Sequence, residues 1–109
     1  MRRKKPREVV SLPDNLGFRP INDPESKRTV VLTVDEYESI RLVDKEGVSQ
    51  AECGAYMNVS RATVQRIYAS ARRKIADSLV EGLPIQIEGG DYQLKCTEEE
   101  ENRLNCVFK

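Results

Sequence analysis

The chain has 109 residues, and its 18 Lys and Arg balance its 18 Asp and Glu, so the formal net charge is zero. This length fits one domain with a modest core plus tails. There is no apolar run long enough to span a membrane, and Pro and charge follow the basic N-terminus where a signal peptide needs an apolar core, so the sequence excludes a membrane span and predicts a cytoplasmic protein.

The charge is strongly segregated along the chain. Residues 1–7 and residues 58–76 each carry five cations and no acid, whereas the acids gather mainly in residues 35–52 and 98–101. A net charge of zero would argue against nucleic acid if the charge were evenly spread. Two separate basic segments keep nucleic acid open as a partner.

The cysteines exclude two kinds of site. The chain has three, Cys53, Cys96 and Cys106, and no His. Neither a disulfide framework nor a four-ligand zinc site can be built from these residues within one chain, so we expect reduced thiols, no metal and no cofactor. A redox or metal-responsive role for Cys96 and Cys106 is the alternative, but their spacing matches no tight zinc knuckle.

Residues 1–31 are predicted to form an extended, basic, Pro-rich arm. Four of the five prolines lie in residues 1–29, and this composition disfavours a regular helix. The arm also contains apolar side chains, so we expect part of it to lie across the domain. The first eight residues are expected to be disordered.

A first helix is predicted from Leu32 to Gly47. Thr33 and Glu36 have the spacing of a capping box, and Gly47 is the expected residue just past the helix end. The buried stripe is expected at Tyr37, Ile40, Leu42 and Val43. Three acids suit the positive end of the helix dipole and are expected to form a face that points away from DNA: Asp35, Glu36 and Glu38.

Residues 48–75 have the pattern of a helix, a tight turn and a basic second helix. Ser49 and Glu52 form another capping box, and Asn58 falls where a left-handed residue ends the helix. Ser60 is positioned to cap the next helix. Gly54 supplies the small residue that closely crossing helices need in a helix-turn-helix. An ordinary helical hairpin in another α domain is the alternative.

The long helix that starts at Ser60 is predicted to stop at Glu81, with Gly82 just past its end. Its apolar positions keep helical spacing at Val64, Ile67, Tyr68, Ala71, Ile75 and Leu79. Tyr68 could stack on a base, but we assign it to the core because it lies within this stripe. Residues 32–82 therefore predict a mainly α, three-helix helix-turn-helix domain.

Residues 83–95 are predicted to form a β-hairpin around Gly89-Gly90. Apolar side chains alternate with polar ones at Ile85, Ile87, Tyr92 and Leu94. These four side chains would share one face of the hairpin, and an irregular loop is the alternative. The acidic tail, residues 96–109, is expected to be disordered or to form a short helix.

The front of the long helix is predicted to carry the side chains that would read bases. In the major groove Arg recognises guanine and Gln recognises adenine, so the base-edge candidates are Arg61, Ala62, Gln65 and Arg66. Helix caps and further cations suit phosphates, which gives the candidates Ser60, Thr63, Arg72, Arg73 and Lys74. The arm could follow a phosphate backbone or enter a minor groove through Arg2, Arg3, Lys4, Lys5 and Arg7, or it is a solvated tail.

The stretch LTVDEYESIRLVDKEGVSQAECGAYMNVSRATVQRIYASARRKIADSLVEG, residues 32–82, resembles DNA-binding region 4 of bacterial sigma factors. With the arm RRKKPR and the closing LPIQIEGGDY, residues 1–95 resemble a family of small, largely uncharacterised prokaryotic proteins predicted to bind DNA. The resemblance implies a transcription-factor-like role, with recognition positions Ser60, Arg61, Ala62, Gln65 and Arg66. The chain departs from the family at Cys53, where Ala is common, and in its cysteine-bearing acidic tail.

The favoured hypothesis is a sequence-specific regulator that binds double-stranded DNA. A protein-interaction module that contacts the transcription machinery, such as RNA polymerase, without reading bases is the alternative, motivated by the acidic first helix and the hairpin face. An enzyme is disfavoured because there is no His, no Gly-rich phosphate loop and no nucleophile beside a base. Homodimerisation is expected because many helix-turn-helix proteins read two half-sites.

Overall fold

The computed structural model describes residues 7–22 and 28–94. These residues contain five short strands: β1 Arg7–Val9, β2 Gly17–Phe18, β3 Val30–Leu32, β4 Ile85–Ile87 and β5 Tyr92–Leu94. They also contain three helices: α1 Val34–Ile40, which continues as a π-helical turn over Arg41–Lys45, α2 Gln50–Met57 and α3 Arg61–Glu81. The predictions for residues 1–6 and for the tail, residues 96–109, lie outside the described residues.

The first helix begins later than predicted, and it changes from an α-helix to a π-helical turn. Leu32 belongs to β3, so the helix starts after Thr33, whose N–H donates to the Glu36 carboxylate at 2.9 Å as the capping box requires. The Glu46 N–H bonds to the Arg41 carbonyl five residues back, which is the bond of a π-turn. Gly47 then leaves the helix with φ +81°. The prediction was therefore correct for the cap and for the exit residue.

The caps of α2 and α3 are as predicted. Glu52 N–H donates to Ser49 Oγ at 3.0 Å, and Ser49 N–H donates back to the Glu52 carboxylate at 2.9 Å. Asn58 has φ 59° and ψ 46°, the left-handed conformation that ends α2. Ser60 Oγ accepts from the Thr63 N–H at 3.1 Å and so caps α3. α3 ends at Glu81, as predicted, with Gly82 left-handed.

Gly54 lets the start of α3 approach α2. A Cβ on Gly54 would lie 2.7 Å from the Val59 carbonyl oxygen, closer than real Cβ atoms come to backbone. The Val59 N–H in turn donates to the Gly54 carbonyl at 2.9 Å. The small residue predicted for the middle of α2 is therefore required by a backbone contact.

The predicted β-hairpin is wrong, although both of its strands exist. β4 lies between β2 and β3, antiparallel to β2 and parallel to β3, while β5 pairs in parallel with β1. The Val34 N–H donates to the Gly89 carbonyl at 2.9 Å, and Gly90 lies so close to Thr33 that a Cβ would be 2.6 Å from the Thr33 Cβ. Gly89-Gly90 thus carries the chain past the start of α1 instead of reversing it.

The described part of the predicted arm is built into the fold. Its strands β1 and β2 pair with β5 and β4 from the other end of the sequence. Val9 is 1% exposed and packs in the core. The described part of the arm therefore lies across the domain, as its apolar side chains predicted, but it does so with two short strands.

Two apolar clusters share α3. One cluster consists of Val9, Leu32, Val34, Ala71 and Ile87. The other consists of Leu42, Cys53, Met57 and Val64, with Tyr68 partly buried against it. The prediction that Leu79 is a core position is wrong, because its side chain is 80% exposed where α3 runs past the small core. None of the helices in the described part of the chain is both long and apolar enough to cross a membrane.

Candidate nucleic-acid interface

The four base-edge candidates lie together on the exposed side of the first turns of α3. Arg61, Ala62, Gln65 and Arg66 are all exposed, while Val64 and Ile67 on the other side of the helix are buried. Neither arginine forms an ion pair with another described residue. The helix thus presents two arginines and one glutamine to solvent near its N-terminus.

The start of α3 is held by side-chain hydrogen bonds. Ser60 Oγ accepts from the Thr63 N–H and lies 3.0 Å from Thr63 Oγ1, to which it also donates. The Arg66 guanidinium lies 3.5 Å from Thr63 Oγ1. Ser60 and Thr63 therefore fix the first turn. The Ser60 hydroxyl proton is already donated to Thr63, so the Thr63 hydroxyl is the one that can donate to a further acceptor.

The phosphate candidates further along α3 divide into two groups. Arg72 and Arg73 are 63% and 81% exposed. Arg72 lies 5.4 Å over the Tyr68 ring and 3.7 Å from the Asp44 carboxylate, and Arg73 lies 3.9 Å from Asp77. Ion pairs this exposed contribute about 0–1 kcal/mol, so they do not prevent either arginine from meeting another anion.

Lys74 belongs to the other group because it binds an acid inside the protein. Its Nζ donates to Glu36 Oε1 at 2.8 Å, and Ser70 Oγ donates to Glu36 Oε2 at 2.5 Å. Burial raises the pKa of Glu36, but the hydrogen bonds from Lys74, Ser70 and the Thr33 N–H outweigh it, so the pKa lies below its ordinary value of 4.5. The structure thus assigns Lys74 a role in joining α3 to α1.

Arg7, the last of the five phosphate candidates in the predicted arm, is also bound internally. It is 5% exposed, its Nη1 donates to Asp91 Oδ2 at 2.7 Å, and its Nε lies 3.8 Å from Asp35 Oδ2. A guanidinium enclosed in this way has little surface left for a phosphate. The other arm candidates, Arg2, Arg3, Lys4 and Lys5, lie outside the described residues.

The acids of α1 do not form the exposed acidic face that was predicted. Asp35, Glu36 and Glu38 are all buried, and Glu38 is only 1% exposed. The Glu38 carboxylate accepts two hydrogen bonds from Arg41 at 2.9 Å and one from the Val10 N–H at 3.3 Å. The acids are buried because partners from β1, α3 and the π-turn satisfy their carboxylates. Sequence spacing reveals only the local partners, the Thr33 N–H of the capping box and Arg41, and not the distant ones.

Comparison with known proteins places the chain in a family. A profile of the family described as "Protein of unknown function DUF134" matches residues 1–95. The chain belongs to this family. The UPF0251 protein DSY3441 of Desulfitobacterium hafniense is 52% identical over 89 residues, 81% of this chain and 71% of that protein. The UPF0251 protein Teth514_1147 of Thermoanaerobacter sp. is 49% identical over 100 residues, 91% of this chain and 86% of that protein. No solved structure matches the chain significantly.

Membership in the DUF134 family confirms the predicted resemblance to a small prokaryotic family. The matched residues, 1–95, include every candidate named above, from the arm to the end of α3. Neither the family's description nor the printed names of these relatives state a function. The function of the α3 surface therefore has to be argued from its chemistry.

Cys53 of this DUF134 protein is a core residue. Its side chain is fully buried, and its Sγ lies 3.7 Å from Met57 Sδ. Burial raises the pKa of the Cys53 thiol to about 11, so the thiol is neutral at physiological pH. No group of three or more His, Cys, Asp or Glu residues within the described ranges could hold a metal ion.

Proposed function

We propose that this protein is a sequence-specific transcriptional regulator that binds double-stranded DNA in the cytoplasm, with α2, its turn and α3 acting as a sigma region 4-like helix-turn-helix. One observation carries the proposal: Arg61, Gln65 and Arg66 share the exposed side of a capped helix start. Gly54 and Asn58 allow a close crossing of α2 and α3. With α2 packed on its buried side, the start of α3 keeps its other side exposed. A helix of this kind is the element that enters a major groove.

Each exposed side chain matches a base edge. Arg61 and Arg66 can each donate two hydrogen bonds to the O6 and N7 of a guanine, and Gln65 can pair with the N6 and N7 of an adenine. Ala62 is suited to contact a thymine methyl group. Four such groups on adjacent positions of one helix support recognition of sequence, which phosphate contacts alone do not provide.

The phosphate contacts of this proposal come from a smaller set than the sequence predicted. Ser60 and Thr63 lie at the helix start, and Arg72 and Arg73 lie exposed further along. Lys74 and Arg7 are left out, because Lys74 already binds the buried Glu36 and the buried Arg7 guanidinium already binds Asp91. These contacts would fix the register of α3 on the duplex.

The alternative is an interaction module that does not read bases. The two features of the sequence that suggested it are not found in the described structure. The acidic residues of α1 are buried, and the predicted hairpin with its apolar face does not form. RNA polymerase and a second copy of the chain remain predicted partners. The exposed arginines of α3 favour nucleic acid as the primary ligand.

A fluorescence-anisotropy titration with a pool of short random duplexes tests DNA binding. The wild type should bind, with an affinity that falls on the order of 10²-fold between 50 and 200 mM salt, because the four exposed arginines of α3 displace counterions from the phosphates. The R61A/R66A variant should lose most of this binding. R28A removes an exposed arginine beside Glu81, at the opposite end of α3 from Arg61, and should bind like the wild type. If all three proteins bound equally well, α3 would not be the DNA-binding element.

A further inference from the structure

Tyr68 of α3 is held in place from two sides. Its ring is partly buried against the apolar cluster that contains Leu42 and Met57. Its hydroxyl donates to Asp44 Oδ1 at 2.6 Å, across 24 positions of the sequence. This hydrogen bond, more than burial, raises the pKa of the Tyr68 hydroxyl above its ordinary value of 10, so the hydroxyl keeps its proton at neutral pH. The ring therefore has a defined position on α3.

Asp44 reaches Tyr68 from the π-helical turn that follows α1, Arg41–Lys45. Turns of this kind are rare within helices and often occur at functional sites. One oxygen of the Asp44 carboxylate accepts from Tyr68, and the other lies 3.7 Å from the Nε of Arg72. The π-turn thus brings one carboxylate to both a ring and a cation of α3.

The Arg72 guanidinium lies over the Tyr68 ring, with 5.4 Å between its central carbon and the ring centroid. A cation within about 6 Å of a ring centroid is attracted to the face of that ring. Arginine carries several N–H donors in a fixed fork, and the Arg72 side chain is 63% exposed. The ring and Asp44 can therefore orient the guanidinium and still leave donors free for another anion.

Arg72 lies on the same side of α3 as two of the base-edge candidates. Arg61, Gln65, Tyr68 and Arg72 have the spacing of side chains that follow one another along one side of a helix. At about 1.5 Å per residue, Arg72 lies about 16 Å beyond Arg61 along the helix axis. This distance exceeds the width of the major groove, about 12 Å, so a helix whose first turns lie in the groove brings Arg72 to its phosphate edge.

We propose that Asp44 and Tyr68 are positioning residues that hold Arg72 ready for a phosphate of the duplex. Tyr68 supplies the ring on which the guanidinium lies, and Asp44 fixes both the hydroxyl of the ring and the Nε of the arginine. An arginine that is ordered before binding loses less side-chain entropy when it meets the phosphate. This role rests on the proposed function, because it requires that α3 binds DNA.

The sign of one substitution separates positioning from simple competition for Arg72. A carboxylate near bound DNA repels phosphates, so its removal alone should strengthen binding. If Asp44 positions Arg72, D44A should instead weaken binding of the duplex that the wild type enriches from a random pool. The expected loss is about fivefold, the effect of ordering one long side chain during binding.

D77A is the matched control for D44A. Asp77 lies 3.9 Å from Arg73, and its side chain is 38% exposed, compared with 37% for that of Asp44. D77A should bind the same duplex as tightly as the wild type or more tightly. An equal loss of affinity in D77A and D44A would overturn a specific role of Asp44.

A double-mutant cycle separates positioning from an effect on the fold. R72A should weaken binding and reduce the salt slope by about one. Adding D44A to R72A should cause no further loss, because the side chain that Asp44 positions is then absent. Y68F keeps the ring and removes only the hydroxyl that holds Asp44, so it should weaken binding in the wild-type background and not in the R72A background.

NMR relaxation of the arginine Nε–H groups tests the positioning in the protein without DNA. The Nε–H of Arg72 should be more ordered than that of Arg73 in the wild type, and D44A should remove the difference. Equal mobility of the two groups in the wild type would overturn the positioning role whatever the protein binds.

The binding outcomes distinguish this role from the proposed function. Tighter binding by D44A would show that Asp44 competes with phosphate, and a further loss when D44A is added to R72A would make Asp44 a structural residue. Either result overturns the positioning role and leaves DNA binding by α3 in place. If the wild type bound no duplex, the proposed function would fail and the positioning role would fail with it.

Discussion

Lys74 of α3 binds Glu36 of α1 across 38 positions of the sequence, with Nζ 2.8 Å from the carboxylate. The Glu36 side chain is buried, whereas that of Lys74 is 31% exposed. Ser70 and the Thr33 N–H complete the hydrogen bonding of this carboxylate. A lysine that lies in a basic run therefore holds the long helix on the first helix.

The pair predicts a loss of stability in acid. Because the folded-state pKa of Glu36 is lowered, its contribution is fully present above the unfolded-state pKa and is lost as the pH falls below about 4.5 towards the folded value. E36Q should be less stable than the wild type by about 1–2 kcal/mol at pH 7 and should lose less on acidification. Urea unfolding at several pH values measures this, with the exposed Glu88→Gln as control. A parallel pH dependence in E36Q and wild type would contradict it.

Lys74 and Arg73 are neighbours in the sequence, but they should differ in function. K74A should lower the free energy of unfolding by about 1–2 kcal/mol, because it leaves the buried Glu36 without its cation, and it should leave the salt dependence of DNA binding nearly unchanged. R73A should be close to wild type in stability and should reduce the salt slope by about one. Thermal unfolding and salt titrations of the two variants separate the roles. If instead K74A reduced the salt slope and left the stability unchanged, Lys74 would be a phosphate contact.

Local chemistry made the helix ends predictable. A cap is decided by residues three or four positions apart, so Ser49 with Glu52, Asn58 and Ser60 were each placed correctly from the sequence. The exposed front of α3 follows from the same periodicity, because residues next to a buried stripe on a capped helix face solvent. The helix caps and the exposed positions of the candidate site could therefore be predicted from the sequence.

Long-range pairing was not predictable in this way. Ile85 and Ile87 were recognised as a strand, but the partners of that strand, β2 and β3, lie more than fifty residues away. The acids of α1 fit a helix-dipole pattern equally well whether they face water or buried cations. Nothing in the spacing of Arg7 and Asp91, 84 positions apart, indicates that they meet.

Gly54 should tolerate no side chain. Its Cβ would meet the Val59 carbonyl oxygen at 2.7 Å, and both groups belong to backbone that cannot move independently. G54A should therefore cost about 2 kcal/mol despite the better helix propensity of Ala. A55S adds one heavy atom at an exposed position of the same helix and should cost no more than about 0.5 kcal/mol. Chemical denaturation compares them, and a G54A variant as stable as wild type would show that the turn is looser than described.

Cys53 should resist modification in the folded protein. Its thiol is fully buried, and its pKa of about 11 leaves almost no thiolate at pH 8. Iodoacetamide labelling followed by peptide mass spectrometry should find Cys53 unmodified under native conditions and modified in denaturant. Cys96 and Cys106 serve as internal references in the same digest. Rapid native labelling of Cys53 would mean that the second core cluster opens readily.

Selection from a random duplex library tests the central claim most directly, because it asks whether α3 reads bases. The wild type and R28A should enrich one common sequence, and Q65A should lose the requirement at a single position, by a factor of about ten, while the rest of the sequence is kept. Sequencing of the bound pools measures all three. Enrichment of a shared sequence with the Q65A change is the predicted result, and wild-type pools that remain random would contradict the account.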